Sequence, residues 1–242
     1  CAGVGPANAP SNQARVAGLK CASGSVGAAA RAMRQRYSAG HTAGVPATRV
    51  PAPPAHLWFT DDEAACALIA RDPVALLIGF ALDQQITVEQ AFLGPLRLQR
   101  RLGHLDPARI AATPPAGLLA AFRERPMIHR FPGAMAERVQ QLCAHLAAAH
   151  DGDAARVWTQ AADGRDLQKR LAALPGFGEM KVRTVSGVVA RRLGVELPGL
   201  AELLPPYETL ADVDSLEKLR SYQAHKRARK AEARARERAA RP

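Results

Sequence analysis

Leu174-Pro175-Gly176-Phe177-Gly178 divides two stretches of helical character and runs directly into Glu179, Met180 and Lys181. Proline has no amide hydrogen to donate, so Pro175 ends the helix before it. Gly176 and Gly178 permit a tight turn and, lacking a Cβ, let a ligand come close to the main chain. The helix opening behind them has unpaired first-turn amides and the positive end of its dipole, an arrangement that receives a phosphate oxygen. Lys181 stands in that turn, placed for a charge-assisted phosphate contact. A bare Gly-x-Gly also occurs at plain helix corners. The five-residue string in a helical setting, followed by a lysine, is more specific and reads as a hairpin that contacts phosphate.

Working outward, the punctuation is helical throughout. Thr60-Asp61-Asp62-Glu63 reads as a capping box, with Thr60 capping the Glu63 amide and Glu63 reaching back, ahead of a helix to about Arg71. Asp72-Pro73 is a cap with a first-turn proline before an apolar helix to about Leu82. Thr87 caps a helix to about Leu102, Asp106-Pro107 opens a short one, and Pro114-Pro115 another to about Arg123. Met135, Val139, Leu142, Cys143 and Leu146 recur at helical spacing between Gly133 and Ala149. Further helices are expected over Asp153–Gln160, Asp163–Ala173 and Glu179–Leu193. Residues 194–210, with Pro198, Gly199, Pro205 and Pro206, read as an irregular connection. From Ser215 a long polar helix is expected, with little apolar face after Tyr222 and a tendency to fray in isolation. No alternating run marks a strand. The predicted class is all-α.

The 242-residue chain carries a formal charge of +11, which favours a polyanionic partner. The charge sits at the ends. Residues 1–55 contain six basic residues and no acid, and residues 222–242 contain eight basic residues against Glu232 and Glu237. Residues 56–221 are therefore close to neutral, so a nucleic-acid role for the central domain has to rest on its motifs. The head, rich in Ala, Gly, Pro and Ser, is expected to be disordered apart from a possible helical patch at 27–37. The tail reads as a source of salt-sensitive, nonspecific attraction, or else as a solvated charged helix. Cys1, Cys21, Cys66 and Cys143 show no short-range pairing, so neither a disulfide framework nor a metal knuckle is expected. Cys66 and Cys143 read as buried small hydrophobes in a reducing compartment. No apolar run approaches the length of a bilayer span, and no secretion leader is readable, so a cytoplasmic, nucleoid-associated location is expected.

Three strings together resemble the helix-hairpin-helix (HhH-GPD) superfamily of base-excision DNA glycosylases. They are Leu174-Pro175-Gly176-Phe177-Gly178 itself; Leu82-Asp83-Gln84-Gln85 with Thr87-Val88-Glu89-Gln90-Ala91, similar to an early L-x-Q-Q signature; and Phe131 to Val139, similar to the start of an intervening helix. Order and spacing are kept over residues 56–221, and the pattern is similar to an actinobacterial-type subgroup. The resemblance implies a two-lobed helical fold, a duplex DNA partner with a damaged or mismatched base, and a monomer. It carries DNA binding onto Leu174, Pro175, Gly176, Phe177, Gly178 and Lys181, and implies that Gln84 and Gln85 line the pocket of an extruded base. A polar interhelical network is the plainer reading of the two glutamines.

The chain departs from the family in two places. Lyase-competent members carry a lysine where Met180 stands here. Lys181 follows one step later, about 100° round the helix, and is expected to face elsewhere. The family's catalytic Asp lies in a V-D-x-H-like string that is missing. Glu196 is the nearest substitute, and Asp83, beside Gln84, is the other candidate carboxylate. No iron-sulfur cluster is expected, since no cysteine follows Cys143, and no other cofactor or metal is implied; His129 and the remaining histidines read as surface or core residues. The expected function is a monofunctional DNA N-glycosylase without lyase activity. The alternative is a glycosylase-fold protein that binds damaged or distorted DNA without catalysis. A helical module whose hairpin touches protein is a third reading.

Overall fold

Aspartates and prolines start most of the helices. The computed structural model describes residues 52–239, and these contain helices and turns with no strand. Expectations for residues 1–51, including the helical patch and Cys1 and Cys21, lie outside the described residues. The helices are α1 (Glu63–Arg71), α2 (Pro73–Leu82), α3 (Val88–Leu102), α4 (Pro107–Ala112), α5 (Pro115–Arg123), α6 (Pro132–Ala149), α7 (Arg156–Thr159), α8 (Gly164–Ala172), α9 (Glu179–Arg191) and α10 (Leu216–Ala239). Two 3-10 turns, Ala201–Leu203 and Leu210–Asp212, punctuate the connection before α10. The Asp72 carboxylate accepts from the Val74 and Ala75 amides, Asp106 from Arg109, Asp163 from Asp166, and the Thr87 hydroxyl from Gln90, each satisfying first-turn donors.

Two local expectations are corrected. The cap of α1 is Asp62, whose Oδ1 accepts from the Ala65 amide at 2.9 Å. Thr60 is fully buried, and its carbonyl accepts from the Cys66 thiol at 3.1 Å. Of the three capping-competent residues in a row, Thr60 is buried and Asp61 exposed, and the carboxylate that meets a first-turn amide is that of Asp62. Glu63 therefore does not close a capping box on Thr60 and instead lies 3.7 Å from His56 Nε2. The helix expected from Asp153 shrinks to Arg156–Thr159, because the Asp153 carboxylate holds the Ala155 amide in a preceding turn.

Buried apolar side chains form one continuous cluster from Leu57 to Tyr222. Nearly every residue of α2 is buried within it, and α2 packs against α1, α3 and α6. Phe59, Phe80 and Phe92 meet edge to face, with Phe92 5.0 Å from each of the other two. The Phe92 ring lies against Gly79, where a side chain would collide with it. A second group forms around α9, which packs on α8 and on the Leu210–Asp212 turn. Cys66 and Cys143 are buried as expected, and burial pushes the Cys143 thiol up to about 12. Among the described residues no single helix is long and apolar enough to cross a membrane.

Candidate functional site

The hairpin turns as its sequence suggests. Gly176 has φ +84°, in the left-handed region, and the Phe177 amide donates to the Leu174 carbonyl at 3.1 Å. Leu174 and Phe177 are buried and pin the turn to the core, while Gly176 and Gly178 are exposed. Gly178 is the N-cap of α9 with extended backbone angles, and no side chain caps the first-turn amides. The space where its side chain would be is open.

Three sequence strings far apart in the chain meet at this turn. Arg138 of α6 lies across Gly176, and its Nη1 donates to Gln84 Oε1 at 2.5 Å. The Gln84 carbonyl is in turn held by His129 Nε2 at 2.9 Å, and His129 Nδ1 accepts from the Phe131 amide at 3.0 Å. An imidazole that accepts at Nδ1 and donates at Nε2 is neutral, and burial lowers the pKa of His129 in the same sense. Gln84 is thus engaged in an interhelical network. Gln85 is exposed with φ +56° and lines a separate open groove with Arg97, Met127 and Arg130.

Behind the hairpin lies a cleft of about 550 Å³, within the usual range of small-ligand sites (~300–1,000 Å³). Val88 at the start of α3 contributes to its wall, and the rest comes from three places. The C-terminal end of α2 gives Phe80 and Asp83, the first turns of α9 give Met180, Lys181 and Thr184, and the chain from Tyr207 through Leu210 continues to Tyr222, Lys226 and Arg229 of α10. Asp83 is the C-cap of α2. Lys181 Nζ donates to the Ala81 carbonyl in the last turn of the same helix at 3.3 Å, where the dipole favours a cation. Burial pushes the Lys181 pKa down to about 8, against the opposing attraction of Asp83; Arg138 lowers it further. The Tyr222 phenol is raised, first by burial and then by Asp83. Met180 is 63% exposed at the rim, within 3.8 Å of the Tyr207 hydroxyl.

Lys181 therefore does not face away from the cleft as the helical offset suggests. The cleft is wide enough to be bounded by both Met180 and Lys181, and the long side chain of Lys181 folds back onto α2. Glu196 is exposed and is not part of the cleft wall, so the structure brings Asp83, but not Glu196, to Lys181. Sequence reasoning missed Tyr222, Lys226 and Arg229. Their spacing of four and then three residues, an aromatic followed by two cations on one helix face, is the signal that could have found them. Among the described residues no group of three or more His, Cys, Asp or Glu side chains is arranged to hold a metal ion.

No protein-family model matches the chain, and neither a curated protein nor a solved structure matches it.

Proposed function

We propose that the chain is a DNA-binding base-excision repair protein, a monofunctional N-glycosylase of the helix-hairpin-helix kind that acts on duplex DNA carrying a damaged or mismatched base. The observation that carries this reading is the position of Asp83. It stands in a cleft with Lys181 and two tyrosines, directly behind a glycine hairpin whose helix amides are uncapped. The exposed amides of Glu179 and Met180 receive a strand phosphate, and the base swings into the cleft against Tyr207 and Tyr222. As the N-glycosidic bond breaks, its electron pair leaves with the base; the Asp83 carboxylate stabilises the cationic sugar and takes a proton from the water that attacks it, and that proton passes on to the released base. At pH 7 a lysine of pKa near 8 is about nine-tenths protonated, so Lys181 acts as a cation beside the departing base more than as an amine nucleophile. Met180 at the position of the lyase lysine, and the tie of Lys181 Nζ to the Ala81 carbonyl, support hydrolysis without strand cleavage. The protein acts as a monomer on nucleoid DNA.

A second reading has its own support: of the two carboxylates singled out in the sequence, one lies outside the cleft, and the cleft's other acid, Glu208, is engaged by Lys218 and His225, which leaves Asp83 alone to serve catalysis. On that reading the scaffold binds distorted DNA without releasing a base. Duplexes with single damaged or mispaired bases, incubated with the protein and then treated with alkali, separate the two. Release on at least one substrate, abolished by Asp83→Asn, supports the enzyme. Tight binding with no release on any substrate supports the scaffold. Strand cleavage before alkali, with a borohydride-trapped adduct, contradicts the monofunctional assignment.

A further inference from the structure

The C-terminal helix reads in the sequence as a basic tail, yet its first part is a wall of the cleft. Leu219 and Tyr222 are buried and fix α10 to the core. Tyr222, Lys226 and Arg229 share one helix face and all border the cleft that contains Asp83 and Lys181. Tyr222 is 9% exposed and lies inward, with the Lys226 ammonium 5.9 Å from its ring centre, whereas Lys226 and Arg229 are exposed farther along the helix.

Glu208, also in the cleft wall, is already engaged. Glu208 accepts from Lys218 at 3.0 Å and lies 3.3 Å from His225, and these two contacts, hydrogen bonding first, lower its pKa. Neither Lys226 nor Arg229 is ion-paired with a described acid. Two cations with no described acid paired to them thus stand at the exposed mouth of an aromatic-lined cleft, on the helix that also presents the buried Tyr222 to it. A ligand fitting this order has an anionic group at the mouth and a flat, uncharged group inside.

We propose that Lys226 and Arg229 hold a phosphodiester of the strand whose base enters the cleft, so that the C-terminal helix is part of the binding site and acts on the distorted strand specifically. This rests on the DNA reading above. The contact forms only when the nucleotide is displaced toward the cleft, so it favours damaged over intact duplex. Cations on α10 beyond the cleft, such as Arg236 and Arg238, lack that geometry and add attraction that does not depend on the strand's state.

The test compares two charge-matched variants of the full chain, Lys226→Glu with Arg229→Glu and Arg236→Glu with Arg238→Glu. Both change exposed side chains, and an unchanged melting temperature confirms folding. The probes are a duplex with one tetrahydrofuran abasic analogue and the same duplex intact. The expected result is that the first variant loses preference for the abasic duplex by about tenfold or more, while the second weakens both duplexes together and keeps their ratio. Lys226→Arg with Arg229→Lys should restore the preference. Equal behaviour of the two charge-reversed variants overturns the inference and leaves the DNA reading intact. An unaltered chain that binds neither duplex removes the DNA reading and this inference with it. Competition by a free deoxynucleoside monophosphate at micromolar concentration would make the cations a small-phosphate site and overturn the strand assignment.

Discussion

Arg138 lies across Gly176, so that a Cβ on the glycine would stand 2.6 Å from Arg138 Cδ. Any side chain at Gly176 also meets a backbone at φ +84°, where L-residues are strained. Gly176→Ala is expected to cost about 1–3 kcal/mol, read as a lower midpoint in denaturant, because both the turn and the Arg138 contact must shift. An unchanged midpoint would show that Arg138 yields freely.

Gly178 behaves differently. Its backbone is extended, at φ −80° and ψ 173°, and nothing stands where its side chain would be. Gly178→Ser supplies the hydroxyl that helix N-termini favour, so stability should hold or rise by a few tenths of a kcal/mol. The same hydroxyl occupies amides proposed to receive phosphate, so duplex affinity should fall. Titration of a fluorescent duplex checks this, and unchanged affinity would remove the hairpin amides from the interface.

The contrast between these glycines shows what the sequence could and could not reveal. The hairpin and the starts at Asp72, Thr87, Asp106 and Asp163 were legible because each is a contact between residues no more than a few positions apart. The Thr60 cap differs from the structure because Thr60, Asp61 and Asp62 are all capping residues: burial withdraws Thr60, and where α1 starts against the core selects Asp62 over the exposed Asp61. The partners of Arg138 and Lys181 were not legible: Gln84 lies 54 positions from Arg138, and the Ala81 carbonyl lies 100 from Lys181. Such contacts depend on how α2, α6 and α9 pack, which local pattern does not encode. The tail was read by its charge, whereas its first turns are placed by the apolar side chains of Leu219 and Tyr222.

Asp83 and Glu196 have opposite surroundings, and their variants should differ accordingly. If the cleft is the site of hydrolysis, Asp83→Asn should lower base release by about a hundredfold or more with binding retained. Glu196→Gln should leave release unchanged, since Glu196 is exposed and outside the cleft wall. Single-turnover release assays on the same duplex decide the matter. A larger effect at Glu196 than at Asp83 would move the catalytic carboxylate away from the cleft.

His150 and His145 give the fold an acid-sensitive point. Both are buried, with ring centres 5.9 Å apart, at the end of α6. Burial, with His145, Arg170 and Arg156 adding repulsion and Asp153 opposing it, pushes His150 down to about 4. The unfolded chain takes up this proton near pH 6.5, so between about 6.5 and 4 it binds more protons than the folded one. Stability is therefore full above that window and falls as pH drops through it. His150→Leu should flatten this part of a midpoint-versus-pH curve; an unchanged slope would place the acid sensitivity elsewhere.

Lys181 sets the alkaline side of the proposed activity. Its ammonium is held between the Ala81 carbonyl and the field of Asp83, while burial brings its pKa to about 8, below the 10.5 of a free lysine. A step that needs the charged form should proceed fully below that value and decline as pH rises through it, well before an ordinary lysine would titrate. Lys181→Arg keeps the cation at all accessible pH values, so it should move the decline to higher pH even if its bulk lowers the rate. Lys181→Met removes the charge and should give a low rate with no break near pH 8. Rate profiles of the three proteins between pH 6 and 10 are the measurement. A break near 8 that persists in Lys181→Met would assign it to another group, leaving Lys181 as a structural tie between α9 and α2.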